Sequence, residues 1–171
     1  MATDKQDKEM ILDEKVMIFV VLASEMFKKR SSAIFKKHGL TFSHYNVLKY
    51  LGACEGGWDS VGNVSKHMLV TGANITGLAK RMQKAGLIER KNDKKDERLT
   101  ILEITPKGKK ALEAIRSVQE KHIAEYLNSY PRQEKEQILS VLKHIVRKGK
   151  QMAGVKFLAL HLIIDNLDVS F

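Results

Sequence analysis

Residues 72–110 change hydrophobic period twice, and few folds can absorb that. Ile75, Leu78, Ala79 and Met82 recur at i, i+3, i+4 and i+7, the stripe of an amphipathic helix, and Gly86 ends it. Leu87 and Ile88 then open a short strand, and Thr100, Leu102 and Ile104 alternate along a second. Thr105-Pro106 restarts a helix, with Thr as N-cap and Pro at the first helical position, where its missing N–H costs nothing. A helix, a hairpin and a long helix must therefore follow one another with almost no linker.

The rest of the chain reads as helix. Residues 8–37 lack Gly and Pro, and Gly39 stops them. Thr41 or Ser43 caps a second helix in which Tyr45, Leu48 and Leu51 recur. Gly56-Gly57 breaks the chain, and Asp59 or Ser60 caps a short third helix ending near Met68. Thr71 caps the fourth. The fifth runs to about Asn128, Ser129 and Pro131 restart the chain, and Ile138, Leu142, Ile145 and Val146 stripe a sixth. A last apolar stretch, residues 157–171 (FLALHLIIDNLDVSF), also reads as helix. The expected fold is mainly α with a small two-stranded β-hairpin. A hairpin directly after the second helix of a helix-turn-helix is the winged-helix arrangement, in which that helix enters the major groove and the wing lies along the backbone. The expected organisation is an N-terminal helix at 1–39, a winged helix-turn-helix core at 40–110 and C-terminal helices at 111–171, with both ends serving dimerisation.

Charge enters here. The chain carries 30 Lys and Arg against 20 Asp and Glu, a formal +10. Eleven of the basic residues and only five of the acids fall within 72–110, so this segment supplies most of the excess. Phosphate contacts need such an excess, because each releases condensed counterions, whereas a solvated loop does not. On the fourth helix the exposed candidates for DNA are Thr71, Asn74, Thr76 and Lys80. Asn can bond an adenine edge, Thr can meet a thymine methyl, and Lys can reach phosphate or guanine. Their bland alternative is an ordinary solvent face. The hairpin tip, KNDKKDER at 91–98, offers Lys91, Lys94 and Lys95 as sequence-neutral phosphate contacts.

The segment 63–112, NVSKHMLVTGANITGLAKRMQKAGLIERKNDKKDERLTILEITPKGKKAL, resembles the DNA-binding core of the MarR family of bacterial and archaeal transcription regulators. The marks are Asp96-Glu97-Arg98 as an Asp-x-Arg wing signature, residues 84–88 as a Lys-x-Gly-Leu-Ile-like segment, and Ile104-Thr105 before Lys107-Gly108. Leu40-Thr41 matches the family's start to the preceding helix. The resemblance implies a homodimer on a pseudo-palindromic operator in double-stranded DNA, often a repressor released by a small ligand or an oxidant. It implies that Arg98 inserts from the wing into the minor groove, where a narrow groove favours arginine, and that Asp96 braces the wing through an ion pair with a nearby Arg or Lys. The alternative for Asp96 is a local hydrogen bond in a turn. Relatives commonly carry Arg or another polar residue where this chain has Gly77, and Ser or a basic residue at Gly72. The two glycines remove possible base contacts, so the operator is expected to differ.

Other signals favour bland readings. Six histidines (His38, His44, His67, His122, His144, His161) invite a metal, and in zinc-sensing relatives Glu25, His44 and His122 would fall near such a site. No His or Cys pair has close ligand spacing, so structural histidines and no metal or cofactor are expected. The lone Cys54, three residues after Leu51, reads as a buried structural thiol rather than a redox sensor. A single cysteine excludes an intrachain disulfide and fits a cytoplasmic setting. The longest apolar run, residues 16–23 (VMIFVVLA), is far short of the ~18–20 residues that span a bilayer and has no cleavage pattern behind it, so neither a membrane nor a signal peptide is expected. The apolar ends instead fit a two-fold dimer, which sets two reading helices roughly 34 Å apart. An effector site is expected in the crevice between the DNA-binding core and the dimer helices. The competing class is a winged-helix adaptor whose basic face binds an acidic protein. An enzyme has no support: no phosphate-cradling glycine motif, HExxH or nucleophile elbow is present.

Overall fold

A computed structural model describes residues 2–68, 72–93, 96 and 98–152, with side chains from residue 11 onward except that of Lys150. The expected helix at 157–171 lies outside the described residues. The chain divides into two compact units, Met1–Phe42 and Ser43–Phe171.

In the first unit, α1 (Ala2–Lys36) is unbroken, beginning six residues before the expected start. Nothing in its sequence stops it until Gly39, whose φ of 71° is costly for any residue with a β-carbon. There the N–H of Leu40 reaches back to Phe35 and that of Gly39 to Lys36, which satisfies carbonyls the helix leaves open. Phe35 is fully buried and its ring tilts against Phe42 at 5.9 Å. Farther back the apolar residues are exposed, among them Leu12, Phe19, Val21 and Met26.

The second unit holds α2 (Phe42–Ala53, its first residue shared with the first unit), β1 (Trp58–Ser60), α3 (Val61–Met68), α4 (Gly72–Lys84), β2 (Ile88–Asn92), β3 (Thr100–Ile104), α5 (Pro106–Leu127) and α6 (Arg132–Met152). The hairpin of β2 and β3 is present, but the sheet has three strands, not two, in the order β1-β3-β2, with both pairings antiparallel. The expected boundary at 110/111 falls inside the unbroken α5.

The core is the one the periodicities foretold. Ile75, Leu78, Ala79 and Met82 of α4 are buried together with Leu48 and Leu51 of α2, Val64 of α3, Ile88, Leu102 and Ile104 of the sheet, and Ile115 of α5. Each of the Val, Leu, Ile and Met side chains among these contributes roughly 1.5–3 kcal/mol by leaving water. The tightest joint is where α4 ends and α5 begins. Thr105 donates its N–H to Leu87 and its hydroxyl to Gly86, while the same oxygen caps α5 by accepting from the Gly108 N–H at 3.0 Å. Lys107 Nζ donates to the Ala85 carbonyl at 2.7 Å, placing a cation at the C-terminal end of α4, where the helix dipole favours it. Only glycine fits at 108: a β-carbon there would lie 2.2 Å from the Leu87 carbonyl oxygen and 2.9 Å from Ile104 Cγ1.

Candidate nucleic-acid interface

The helix-turn-helix is tied to the sheet by one carboxylate. Asp59, in β1, accepts from the Tyr50 hydroxyl of α2 at 2.5 Å and from Asn63 Nδ2 of α3 at 2.8 Å. The next residue, Ser60, caps α3 by accepting the Asn63 N–H at 3.1 Å, as one of the two expected caps. His67 stacks on the Tyr50 ring at 4.2 Å. Burial, then the hydrogen bond to Asp59, pushes the Tyr50 hydroxyl well above its ordinary value. Cys54 is half-buried, donates to the Tyr50 carbonyl at 3.3 Å, and is pushed up by burial and by the Asp59 charge. It holds a proton and packs, as a structural thiol does.

On α4 the stripe opposite the core runs through Ala73, Gly77, Lys80 and Lys84 at helical spacing. The expected DNA residues do not form one row. Lys80 is central and exposed. Asn74 is exposed on one flank, which it shares with Arg81 seven residues on. Thr76 lies on the other flank, half-buried, and its hydroxyl donates to the Gly72 carbonyl at 2.9 Å. Thr71 lies outside the described residues. On the Asn74 flank a depression of 330 Å³ is lined by Asn74, Gly77, Leu78 and Arg81 of α4, Met68 of α3 and Ser43 of α2. Beside it His44 is held below the ordinary imidazole value, first by burial and then by the Arg81 charge. Arg81 was not among the residues expected at the interface. Its spacing from Asn74 (i, i+7) is the signal that could have found it.

At the wing, Arg98 is exposed at the tip. Asp96 braces the turn through the backbone: its carboxylate accepts the Arg98 N–H at 3.0 Å, and its own N–H donates to Asp93 Oδ1 at 2.9 Å. These bonds within the turn, rather than the expected ion pair, are what holds Asp96 among the described residues. Lys91 also departs from expectation. Its Nζ lies 2.6 Å from Glu103 and 3.0 Å from Glu89, two acids that face each other across β2 and β3. Like charges directly opposite destabilise a sheet, and Lys91 neutralises them, so it is not a loose cation. Those hydrogen bonds raise its own pKa. Lys94 and Lys95 lie outside the described residues. By contrast, Lys80, Arg81, Lys84 and Arg98 form no ion pair among the described residues.

Among the described residues, no three of His, Cys, Asp or Glu are grouped as metal ligands. His122 is buried in α5, edge-on to Tyr126 at 5.2 Å. No helix of the described residues is long and apolar enough to cross a membrane.

This architecture recurs in solved proteins. AbsC of Streptomyces coelicolor superposes with a TM-score of 0.76 at 15% identity, over 81% of this chain and 94% of that one. MepR of S. aureus, solved as a complex with DNA, superposes with a TM-score of 0.72 at 20% identity, over 77% of this chain and 96% of that one. The transcriptional regulator TtmR of Methylorubrum extorquens is 28% identical over 109 residues, which are 64% of this chain and 55% of TtmR's own length. A family model described as "MarR family" matches residues 38–99, the span from the end of α1 to the wing tip. The paired helices, the capped turn between sheet and α3 and the Asp96–Arg98 wing thus meet in one assignment: residues 38–99 match the MarR family, and the chain has the winged helix-turn-helix fold of the solved regulators it resembles.

Proposed function

We propose that this chain regulates transcription as a homodimer that binds a pseudo-palindromic operator in double-stranded DNA and represses until a small ligand releases it. The observation that carries the reading is the set of cations on α4 and the wing that form no ion pair among the described residues, Lys80, Arg81, Lys84 and Arg98. Affinity comes from their contacts with phosphate, joined by Lys94 and Lys95, while Asn74, the Thr76 methyl and Arg98 supply sequence preference. Lys91 contributes by keeping the strands of the wing paired. The DNA-bound MepR structure supports the same use of the fold. Dimerisation is supported by the apolar side chains exposed along α1 and by the apolar stripe of α6, where Ile138, Leu139, Val141, Leu142 and Val146 are open. So much exposed apolar surface marks an interaction face. Release requires a ligand that prefers the dimer geometry that fits DNA poorly.

Selection of bound duplexes from a random pool tests this. A two-fold symmetric consensus, bound with steep salt dependence and preferred over random DNA, is the expected result. Equal binding of all duplexes, with tight binding to an acidic protein surface instead, would turn the reading to a winged-helix adaptor. A monomeric mass by light scattering at micromolar concentration would remove the dimer.

A further inference from the structure

In a helix docked in the major groove, the N-terminal half meets the base edges. A side chain rooted in the last turn reaches them only if it lies back along the helix. Arg81 does so. Helical side chains lean toward the N-terminus, and one turn before Arg81 the chain has glycine. A β-carbon at Gly77 would lie 3.7 Å from Arg81 Nη1, so the guanidinium rests over the space that a side chain at 77 would enter. There it lines the same 330 Å³ depression as Asn74 and Ser43. It forms no ion pair among the described residues, unlike Lys91. Its charge is also felt by His44 at the start of α2, beside the depression on the Asn74 flank.

We propose that Gly77 is a berth for Arg81, and that the Arg81 guanidinium, carried back over it, reads one guanine in each operator half-site beside Asn74. The inference rests on the functional reading above and names the residue that sets its specificity. Guanidinium donors match guanine O6 and N7 as a pair, which a lysine ammonium does not reproduce. The glycine that would otherwise count as a lost contact is what brings this contact into reach.

The test is duplex selection repeated with the full chain and four variants, each first checked for an unchanged melting midpoint. The wild type is expected to prefer guanine at one position per half-site by roughly 5- to 150-fold. Arg81→Ala abolishes the preference there and leaves the rest of the consensus, and Arg81→Lys weakens it. Gly77→Ile keeps the arginine but fills its berth, and loses the same position. Lys80→Ala lowers affinity for every duplex and keeps the consensus. An Arg81→Ala variant that still selects the guanine overturns the proposal, as does a Gly77→Ile variant that selects like the wild type. A wild-type chain that selects no consensus overturns the functional reading beneath it.

Discussion

The two basic segments of this protein, α4 and the wing strands, carry similar charge and hold it differently. On α4, Lys80, Arg81 and Lys84 point away from the core with no acid paired to them among the described residues. In β2, Lys91 is held between Glu89 and Glu103, and at the tip Asp96 is occupied with the Arg98 N–H. A cation that already has two carboxylates gives up little when it meets a phosphate, whereas an unpaired one exchanges its counterions. Counting basic residues therefore overstates the wing strands and understates the helix. Among the described residues of the wing tip, Arg98 is the cation with no acid paired to it.

The comparison can be broken at its shared base. Gly108→Ala should cost about 2–3 kcal/mol, because the new methyl meets the Leu87 carbonyl and Ile104 with no room to move. A urea midpoint measures it, and the helix and the wing should lose DNA binding together as the folded fraction falls. Next in size is Arg98→Ala, which should weaken operator binding roughly tenfold with the dimer and its melting point unchanged. Unchanged affinity at moderate salt would take the wing out of the comparison altogether.

Tyr50→Phe tests the tie between the helices and the sheet, and should cost about 1 kcal/mol through the lost hydrogen bond to Asp59. It should also change the alkaline limb. The folded chain keeps the Tyr50 proton above the ordinary value of 10.0 while the unfolded chain releases it. That contribution is intact below pH 10 and is lost as pH rises past it. Tyr45, raised chiefly by burial, acts in the same direction, so the variant should show a shallower fall rather than none. Denaturation at several pH values between about 9 and 11 reads the difference.

The smallest effect is the most direct comparison of the two regions. Lys80→Ala should lower the slope of log affinity against log salt by about 1. Lys91→Gln should leave that slope where it was and instead lower the melting point slightly, since Glu89 and Glu103 then face each other unneutralised. Equal changes in slope would show that the ion pairs of Lys91 open on DNA.

What was legible in the sequence was what local chemistry decides. The stripe of α4, the alternation of Leu102 and Ile104, the Thr105-Pro106 start and the Ser60 cap all act within a few residues, and each stands as expected. β1 was not legible. Trp-Asp-Ser is too short and too polar to declare a strand, and it exists because Trp58, Asp59 and Ser60 pair with residues 101–103 some forty positions away. The fate of Lys91 was hidden for the same reason, since register alone brings Glu103 beside it. For the candidate interface, the sequence foretold which side chains of α4 lie away from the core better than how they are placed there. Asn74 and Lys80 are exposed on α4, while Arg81 needed the knowledge that its guanidinium lies over Gly77.

Ser60 is at once the last residue of β1 and the cap of α3, so sheet and helix meet with no slack between them. Any twist of β3 is passed through β1 to α3 as through a crank. Helix-turn-helix and wing are therefore joined as one head, with no linker residue between β1 and α3 at which either could pivot alone. A lineage of such proteins would change its operator by exchanging side chains on that head or by lengthening the tip beyond Asn92, not by altering the angle between helix and wing.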